Sequence, residues 1–281
     1  MFVSVIIPTF NRKDLLRKCL DLLYNDVQQL PQESYEVIVT DDSENMEAKE
    51  LIEGVYMSFV SWVEGPKKGP AANRNNGAKY AKGDWIIFID DDCLPTESFL
   101  KNYIQAINTH KDYLAFEGRI FVDTKPTTLL DQAPQNEYGG YFWSCNIALN
   151  KQFFFDIGMF DEGFPYASME DVDLFYRIKQ NTNKYMFLYD ASVNHPWRYN
   201  SNIVKSAIRH YKSLLFYLKK HPEEIKRLNT KSHVLAFIKS RPATLKLAFE
   251  SKFRGFWKKA QADIIWIYLI LKLNSDIKRN G

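Results

Sequence analysis

Residues 85–89, Trp-Ile-Ile-Phe-Ile, form an unbroken apolar run that opens after Gly83 and leads directly into Asp90-Asp91-Asp92. No feature of the chain constrains its fold more. A short apolar run bounded by turn residues reads as a strand buried on both faces, as in a parallel sheet covered by helices. In such sheets ligands collect beyond the carboxyl ends of the strands, where these acids fall. Neighbouring carboxylates repel by roughly 1 kcal/mol per pair in water and about 4 kcal/mol at a lower effective dielectric. A divalent cation removes that penalty. Asp90 and Asp92 point the same way along an extended chain, so both can reach one metal or one metal-bound diphosphate.

The rest of the N-terminal part repeats the pattern of strand followed by helix. Strands are predicted over 2–7 (halted by Pro8), 35–40 and 58–63, and helices over 13–24, 46–54, 69–81 and 96–108. Pro70 suits a first helical turn and Thr96 a cap. The alternation predicts a parallel, doubly wound sheet. A second strand end is acidic, at Asp41-Asp42-Ser43, and two acidic strand ends suggest one ligand spanning them.

Several function classes fall away. The first strand leads into Pro8-Thr9-Phe10-Asn11-Arg12, where a dinucleotide fold would carry its glycines, and no Gly-Lys-Ser/Thr loop exists. A nucleotidyltransferase would need a Gly-rich, Arg-containing loop there. Phosphates are therefore expected to be bridged by metal. The three cysteines, Cys19, Cys93 and Cys145, are widely spaced and suit a reducing compartment. No leader pattern precedes the first strand, and the expected location is cytoplasmic.

These motifs resemble those of family 2 glycosyltransferases. The resemblance is carried by Val5 through Arg12, Val39 through Ser43, Gly69 through Gly77 and Gly83 through Asp92. It continues in Trp143-Ser144-Cys145-Asn146, Gly158 through Glu162 and Glu170-Asp171-Val172-Asp173, with Arg177 following. It implies a GT-A fold, α/β with a mostly parallel central sheet flanked by helices, over 1–202. Within it, 1–95 would bind the nucleotide-sugar and 96–202 the acceptor. The implied reaction is inverting transfer of one sugar from a nucleotide-sugar, UDP-linked by preference, to a glycan hydroxyl.

The resemblance also implies roles. Pro8, Thr9, Phe10 and Arg12 would lie beside the nucleotide. Asp42, or else Asp41, would accept the pyrimidine N–H. Arg74 would sit near the base or diphosphate, and Asp90 would reach the ribose or donor sugar. Asp91 fills the variable middle position of the DXD motif and is grouped with the nucleotide site. Asp92 would bind Mn²⁺ or Mg²⁺, with His195 a further ligand. Asp171 would be the base and Glu170 its alternative or a neighbour of the acceptor. Trp143, Ser144, Cys145 and Asn146 would form the acceptor loop. The Gln-x-x-Arg-Trp motif of processive synthases is missing, so a non-processive enzyme is expected. A dTDP-deoxysugar transferase, such as a rhamnosyltransferase, would carry nearly the same motifs because uracil and thymine share an N3–H edge. A non-catalytic glycan-binding or scaffold protein of the same fold is the alternative from another class.

Charge divides the chain. Residues 203–281 hold 18 Lys and Arg against 5 Asp and Glu, while residues 1–202 hold 19 against 29. Apolar residues interleave with the cations over 203–218, and 264–271 is an eight-residue apolar run, far short of the roughly 20 needed to span a bilayer. This basic helical extension is expected to lie on an anionic membrane surface, with Trp257, Trp266 and Tyr268 at headgroup depth. That would make the protein peripheral at the inner face of the cell membrane, with a lipid-linked glycan acceptor in surface polysaccharide assembly. A helical cap packed on the catalytic domain, or a homodimer contact, is the other use of the segment. Nucleic acid is not an expected partner, given the acidic body.

Overall fold

The computed structural model describes residues 1–280. In chain order it contains β1 (Val3–Thr9), α1 (Lys13–Asp21), α2 (Asn25–Gln28), β2 (Tyr35–Asp41), α3 (Glu47–Leu51), β3 (Val60–Glu64), α4 (Pro70–Tyr80), β4 (Trp85–Ile89), β5 (Leu94–Pro95) and α5 (Phe99–Thr109). There follow β6 (Ala115–Phe121), β7 (Asp131–Gln132), β8 (Asn146–Asn150), α6 (Lys151–Asp156), α7 (Glu170–Asn181), β9 (Tyr185–Asn194), β10 (Arg198–Tyr199), α8 (Ile203–Lys220), α9 (Thr230–Glu250) and α10 (Phe256–Asn280). The chain divides into two compact units. One comprises Met1–Asp123, Pro134–Glu162 and Glu170–Pro196; the other comprises Thr124–Ala133, Gly163–Met169 and Trp197–Gly281.

The first unit is built on an eight-stranded sheet in the order β3-β2-β1-β4-β8-β6-β9-β5. The parallel expectation holds for β3-β2-β1-β4. Beyond β4 it gives way to antiparallel pairing of β4 with β8 and of β8 with β6, and β6 then pairs parallel with β9. The strand β1 also runs past Pro8 to Thr9, pairing Pro8 with Thr40. Pairing of β1 with β4 stops at Ile6, so Pro8 lies where no ladder donor is needed on that side.

Every residue of β4 is buried, as a strand with helices on both faces requires. One apolar layer gathers Val5, Ile7, Leu16, Leu20, Val37 and Ile87; the other gathers Ile6, Ile38, Ile86, Phe88, Phe154 and Phe160. Helix α4 packs so closely on β1 and β2 that a methyl group at Gly77 would meet Ile6 Cγ2 at 2.6 Å and Thr40 Cγ2 at 3.0 Å. The same helix starts at Gly69, whose φ of 92° is open to glycine and strained for other residues, with Pro70 in its first turn.

The second unit is helical, with a two-stranded antiparallel ribbon of β7 and β10. Its helices are tied by Tyr211 donating to Asp276 at 2.8 Å, Thr230 donating to the Ile270 carbonyl at 3.0 Å and an Arg241–Asp263 ion pair at 2.6 Å. Leu130, Ile203 and Ala262 share a small apolar core. Ile270 and Leu273 of α10 are fully buried, whereas Trp257, Ile264, Tyr268 and Leu271 are exposed. Among the described residues, no helix is long and apolar enough to cross a membrane.

Candidate active site

The sheet delivers its acids as the sequence pattern predicts. Asp41 ends β2, and Asp90-Asp91-Asp92 follow β4, the strand next to β1. Buried carboxylates need partners, and each of these has a distinct set. Asp91 accepts from Thr9 Oγ1 at 2.8 Å and from Arg12 Nη1 at 3.1 Å, which fixes the loop after β1 on the triplet. The middle acid thus anchors that loop. Burial raises the Asp91 pKa, and Arg12 and Thr9 oppose the rise. Pro8 is buried beside Thr9, and Phe10 is exposed at the loop tip.

Asp42 accepts from the backbone N–H groups of Lys67 at 2.8 Å and Gly69 at 3.1 Å. Asp41 accepts from Ser43 N–H at 2.9 Å and from Trp62 Nε1 at 3.3 Å. The second acidic strand end therefore organises its own loops. Burial pushes the Asp42 pKa up, opposed by the two amide donors.

Arg74 is the cation of the site. It sits in α4, is buried, and donates from Nη2 to Asp90 Oδ1 at 2.6 Å; its Nη1 lies 4.0 Å from Glu170 Oε1. Burial works against its charge, but Asp90, Asp171 and Glu170 outweigh that effect and raise its pKa. A polar helix face can be buried here because its neighbours are also bonded. Asn73 donates to the carbonyls of Thr9 and Thr40, and Asn75 exchanges hydrogen bonds with the Phe160 backbone.

Glu170 and Asp171 open α7, where the helix dipole favours anions. Burial pushes the Glu170 pKa up to about 7, helped by the neighbouring Asp171 charge and opposed by Arg74. The Asp171 pKa is also raised by burial, opposed by Arg74 and by hydrogen bonds from the Ser144 hydroxyl and N–H. Asp171 Oδ1 is buried and has no hydrogen-bond partner. The 143–146 loop is thus joined to α7 through Ser144.

The other residues of that loop have separate surroundings. Trp143 is partly buried and stacks on exposed Tyr141, with ring centroids 4.6 Å apart. Cys145 is a core residue whose carbonyl accepts from the Cys93 thiol at 3.5 Å. Asn146 accepts from Tyr103 and donates to the carbonyls of Arg119 and Ala191, so its side chain stitches the sheet together.

His195 follows β9 and brings its Nε2 to 3.6 Å from Asp92 Oδ1, both side chains being buried. The ring's Nδ1 lies 3.2 Å from the Pro196 carbonyl, which can only accept. With Nδ1 donating to that carbonyl, a neutral His195 ring would present the Nε2 lone pair toward the carboxylate. Two facing acceptors fit a cation between them, and a carboxylate with an imidazole suits Mn²⁺. Cys93 Sγ belongs to the same cluster, but burial and the neighbouring Cys145 side chain push its pKa well up and leave a thiol there.

One important residue gave no sequence signal. Glu117, buried inside β6, accepts from Asn136 Nδ2 at 2.9 Å and from the N–H groups of Gly140, Tyr141 at 3.1 Å and Phe142 at 2.9 Å. This carboxylate moulds the segment that leads into Trp143 and Ser144. Only its position in an otherwise strand-like run, Ala-Phe-Glu-Gly-Arg-Ile-Phe, could have hinted at burial.

Comparison with known proteins places this geometry in a family. The model of glycosyl transferase family 2 matches residues 4–164. Poly(ribitol-phosphate) beta-glucosyltransferase of Bacillus spizizenii is 35% identical over 108 residues, which is 37% of this chain and 17% of that protein. The UDP-Glc:alpha-D-GlcNAc-diphosphoundecaprenol beta-1,3-glucosyltransferase WfaP of Escherichia coli is 29% identical over 181 residues, 63% of this chain and 69% of that one. The chain thus spans only a small part of the first relative. Among solved structures, S. aureus TarS 1-349 in complex with UDP-GlcNAc aligns over 100% of this chain and 93% of its own, at 16% identity and a TM-score of 0.62. The mannosyltransferase PcManGT from Pyrobaculum calidifontis, in complex with GDP-Man and Mn²⁺, covers 99% and 86%, at 17% identity and a TM-score of 0.61. These neighbours share the GT-A fold. With its strand-end acids, its buried Arg74 and a family match over more than half its length, the chain belongs to glycosyl transferase family 2.

Proposed function

We propose that the chain is an inverting, non-processive glycosyltransferase that moves one sugar from a nucleotide-sugar, UDP-linked by preference, to a glycan hydroxyl. The observation that carries this reading is the convergence of Asp90, Arg74, Glu170 and Asp171, which puts a strand-end acid, a buried cation and a carboxylate pair in one charge network. Asp171 is assigned as the base. Ser144 holds its carboxylate, and its Oδ1 remains able to take the proton of an attacking hydroxyl. As that hydroxyl loses its proton, its oxygen bonds to the anomeric carbon and the nucleoside diphosphate leaves with the electron pair. The Asp171 charge helps Glu170 hold its proton, and Arg74 opposes protonation of both carboxylates. Pro8, Thr9, Phe10, Arg12, Asp41 or Asp42 and Asp90 are assigned to the donor, with Asp91 holding Arg12 in place. Trp143, with Tyr141, is assigned to the acceptor. Asp92 and His195 would hold Mn²⁺ or Mg²⁺, which when bound supplies charge neutralisation for a diphosphate.

The relatives' names support a role in surface polysaccharide synthesis with a lipid-linked acceptor. The basic second unit, with exposed Trp257, Ile264, Tyr268 and Leu271 on α10, supports attachment to an anionic bilayer at the inner face of the membrane. Flotation with anionic liposomes at low salt tests that attachment; no co-flotation would assign the face to a homodimer or to another partner.

The transferase reading is tested by thermal shift with UDP, dTDP, GDP and CMP, each with and without Mn²⁺. A shift with UDP or dTDP that needs Mn²⁺, followed by sugar transfer that Asp171→Asn abolishes, is the expected result. A larger shift with dTDP than with UDP would favour the deoxysugar donor. A folded protein that responds to no nucleotide would instead be a glycan-binding or scaffold protein of this fold.

A further inference from the structure

The second unit contains a concavity of about 470 Å³ that no residue of the strand-end acid cluster lines. Four cations border it: Lys205, Arg209 and Lys212 on α8 and Lys258 on α10. Among the described residues none of the four has a carboxylate within ion-pair distance, although other basic residues of the same unit, such as Arg241 and Lys259, do. Arg209 and Lys212 both lie over the ring of Tyr166, at 5.4 Å and 5.8 Å from its centroid, so two like charges are gathered at one wall. The first turn of α8 also lines the cavity, and the N-cap residue Asn202 makes no side-chain bond to that turn. An uncapped N-terminus of an 18-residue helix adds amide donors and a partial positive charge. Opposite in character are Ile203, Val204 and Ile208, which give the cavity an apolar side. Unpaired cations, a helix N-terminus, an aromatic ring and an aliphatic wall in one concavity match an anionic phosphorus group joined to an apolar moiety.

We propose that this cavity binds a phosphate or diphosphate ester, with the phosphate oxygens on Lys205, Arg209, Lys212 and Lys258 and the organic part against Ile203, Val204 and Ile208. If the transferase reading holds, the ester is the linkage of a lipid-linked acceptor, so this part of the inference rests on that reading. A free phosphate ester offers the same chemistry, and the test separates the two sources.

The test uses the full chain in EDTA, so that no divalent cation recruits diphosphate to Asp92 and His195. Inorganic diphosphate and farnesyl diphosphate are titrated calorimetrically at 0.15 M salt. Saturable binding of both is expected, at least tenfold tighter for farnesyl diphosphate, with a loss of at least tenfold in Lys205→Ala/Lys212→Ala and in Arg209→Ala. Equal affinities for the two probes would keep the site and assign it to a free phosphate group. No saturable binding of either probe, or variants that bind as the parent does, would overturn the proposal. Binding of UDP with Mn²⁺ by the same variants reports folding and the donor site separately. Its loss in the parent chain would count against the transferase reading alone.

Discussion

Arg74 Nη2 lies 2.6 Å from Asp90 Oδ1, joining helix α4 to the acids that end β4. The guanidinium also faces the carboxylates that open α7, so one side chain balances three acids. Removing one partner of a buried ion pair typically costs about 3–5 kcal/mol because a charge is left uncompensated. Arg74→Met should therefore destabilise the fold by about that amount at neutral pH, measured by urea denaturation. The loss should shrink in acid, where the carboxylates take protons instead.

The raised Glu170 pKa has a definite sign for stability. The folded chain keeps this proton up to about pH 7, whereas an unfolded Glu releases it near pH 4.3. Between those values the folded state binds more protons, so stability from this group falls as pH rises. Urea midpoints at pH 5 and pH 8 should show a smaller decline in Glu170→Gln than in the parent chain.

The same variant also bears on catalysis. Below about pH 7 Glu170 holds its proton and adds no charge beside Asp171. The acidic limb of the kcat/KM profile should therefore stay in place in Glu170→Gln. Asp171→Asn should lower kcat by about 10²–10⁴-fold, the usual contribution of a general base, while leaving the UDP affinity within a few-fold. An acidic limb that moves in Glu170→Gln would show that Glu170 is charged where Asp171 titrates.

Asp92→Ala and His195→Ala should each abolish the Mn²⁺-dependent part of the UDP thermal shift. A ligand at 100 times its dissociation constant stabilises by about 2.7 kcal/mol, so the loss is large enough to read. His195→Ala retaining a full Mn²⁺ effect would leave Asp92 as the metal residue and His195 as a packing residue.

Gly77→Ala tests the contact of α4 with the sheet. The added methyl would stand 2.6 Å from Ile6 Cγ2, and overpacking of this kind costs about 1–3 kcal/mol. Helix propensity alone favours Ala over Gly by about 1 kcal/mol. A variant more stable than the parent would show that the helix can move away.

Much of the N-terminal part was legible because its signals are local. The apolar run 85–89, the alternation of strands and helices and the acids at strand ends each lie within a few residues of one another. The later strands were not legible as partners. Ala115–Phe121 carries Glu117, Gly118 and Arg119 in its middle, and Asn146–Asn150 has asparagine at both ends. Their strand character depends on pairing with segments some 30–70 residues away, which no local pattern encodes. The same applies to the site. The sequence singles out Asp42 as an acid, but its bonds to Lys67 and Gly69 depend on where that loop returns. Glu117 shows its role only through the three amide donors that the fold brings to it.

Glu117 has a thermodynamic consequence for whatever settles on Tyr141 and Trp143. A surface segment with two positive-φ glycines, Gly139 and Gly140, would otherwise sample many shapes. Here a buried carboxylate selects one of them when the chain folds. A ligand arriving there meets a surface whose entropy has already been surrendered, and its own contacts go undiluted into affinity.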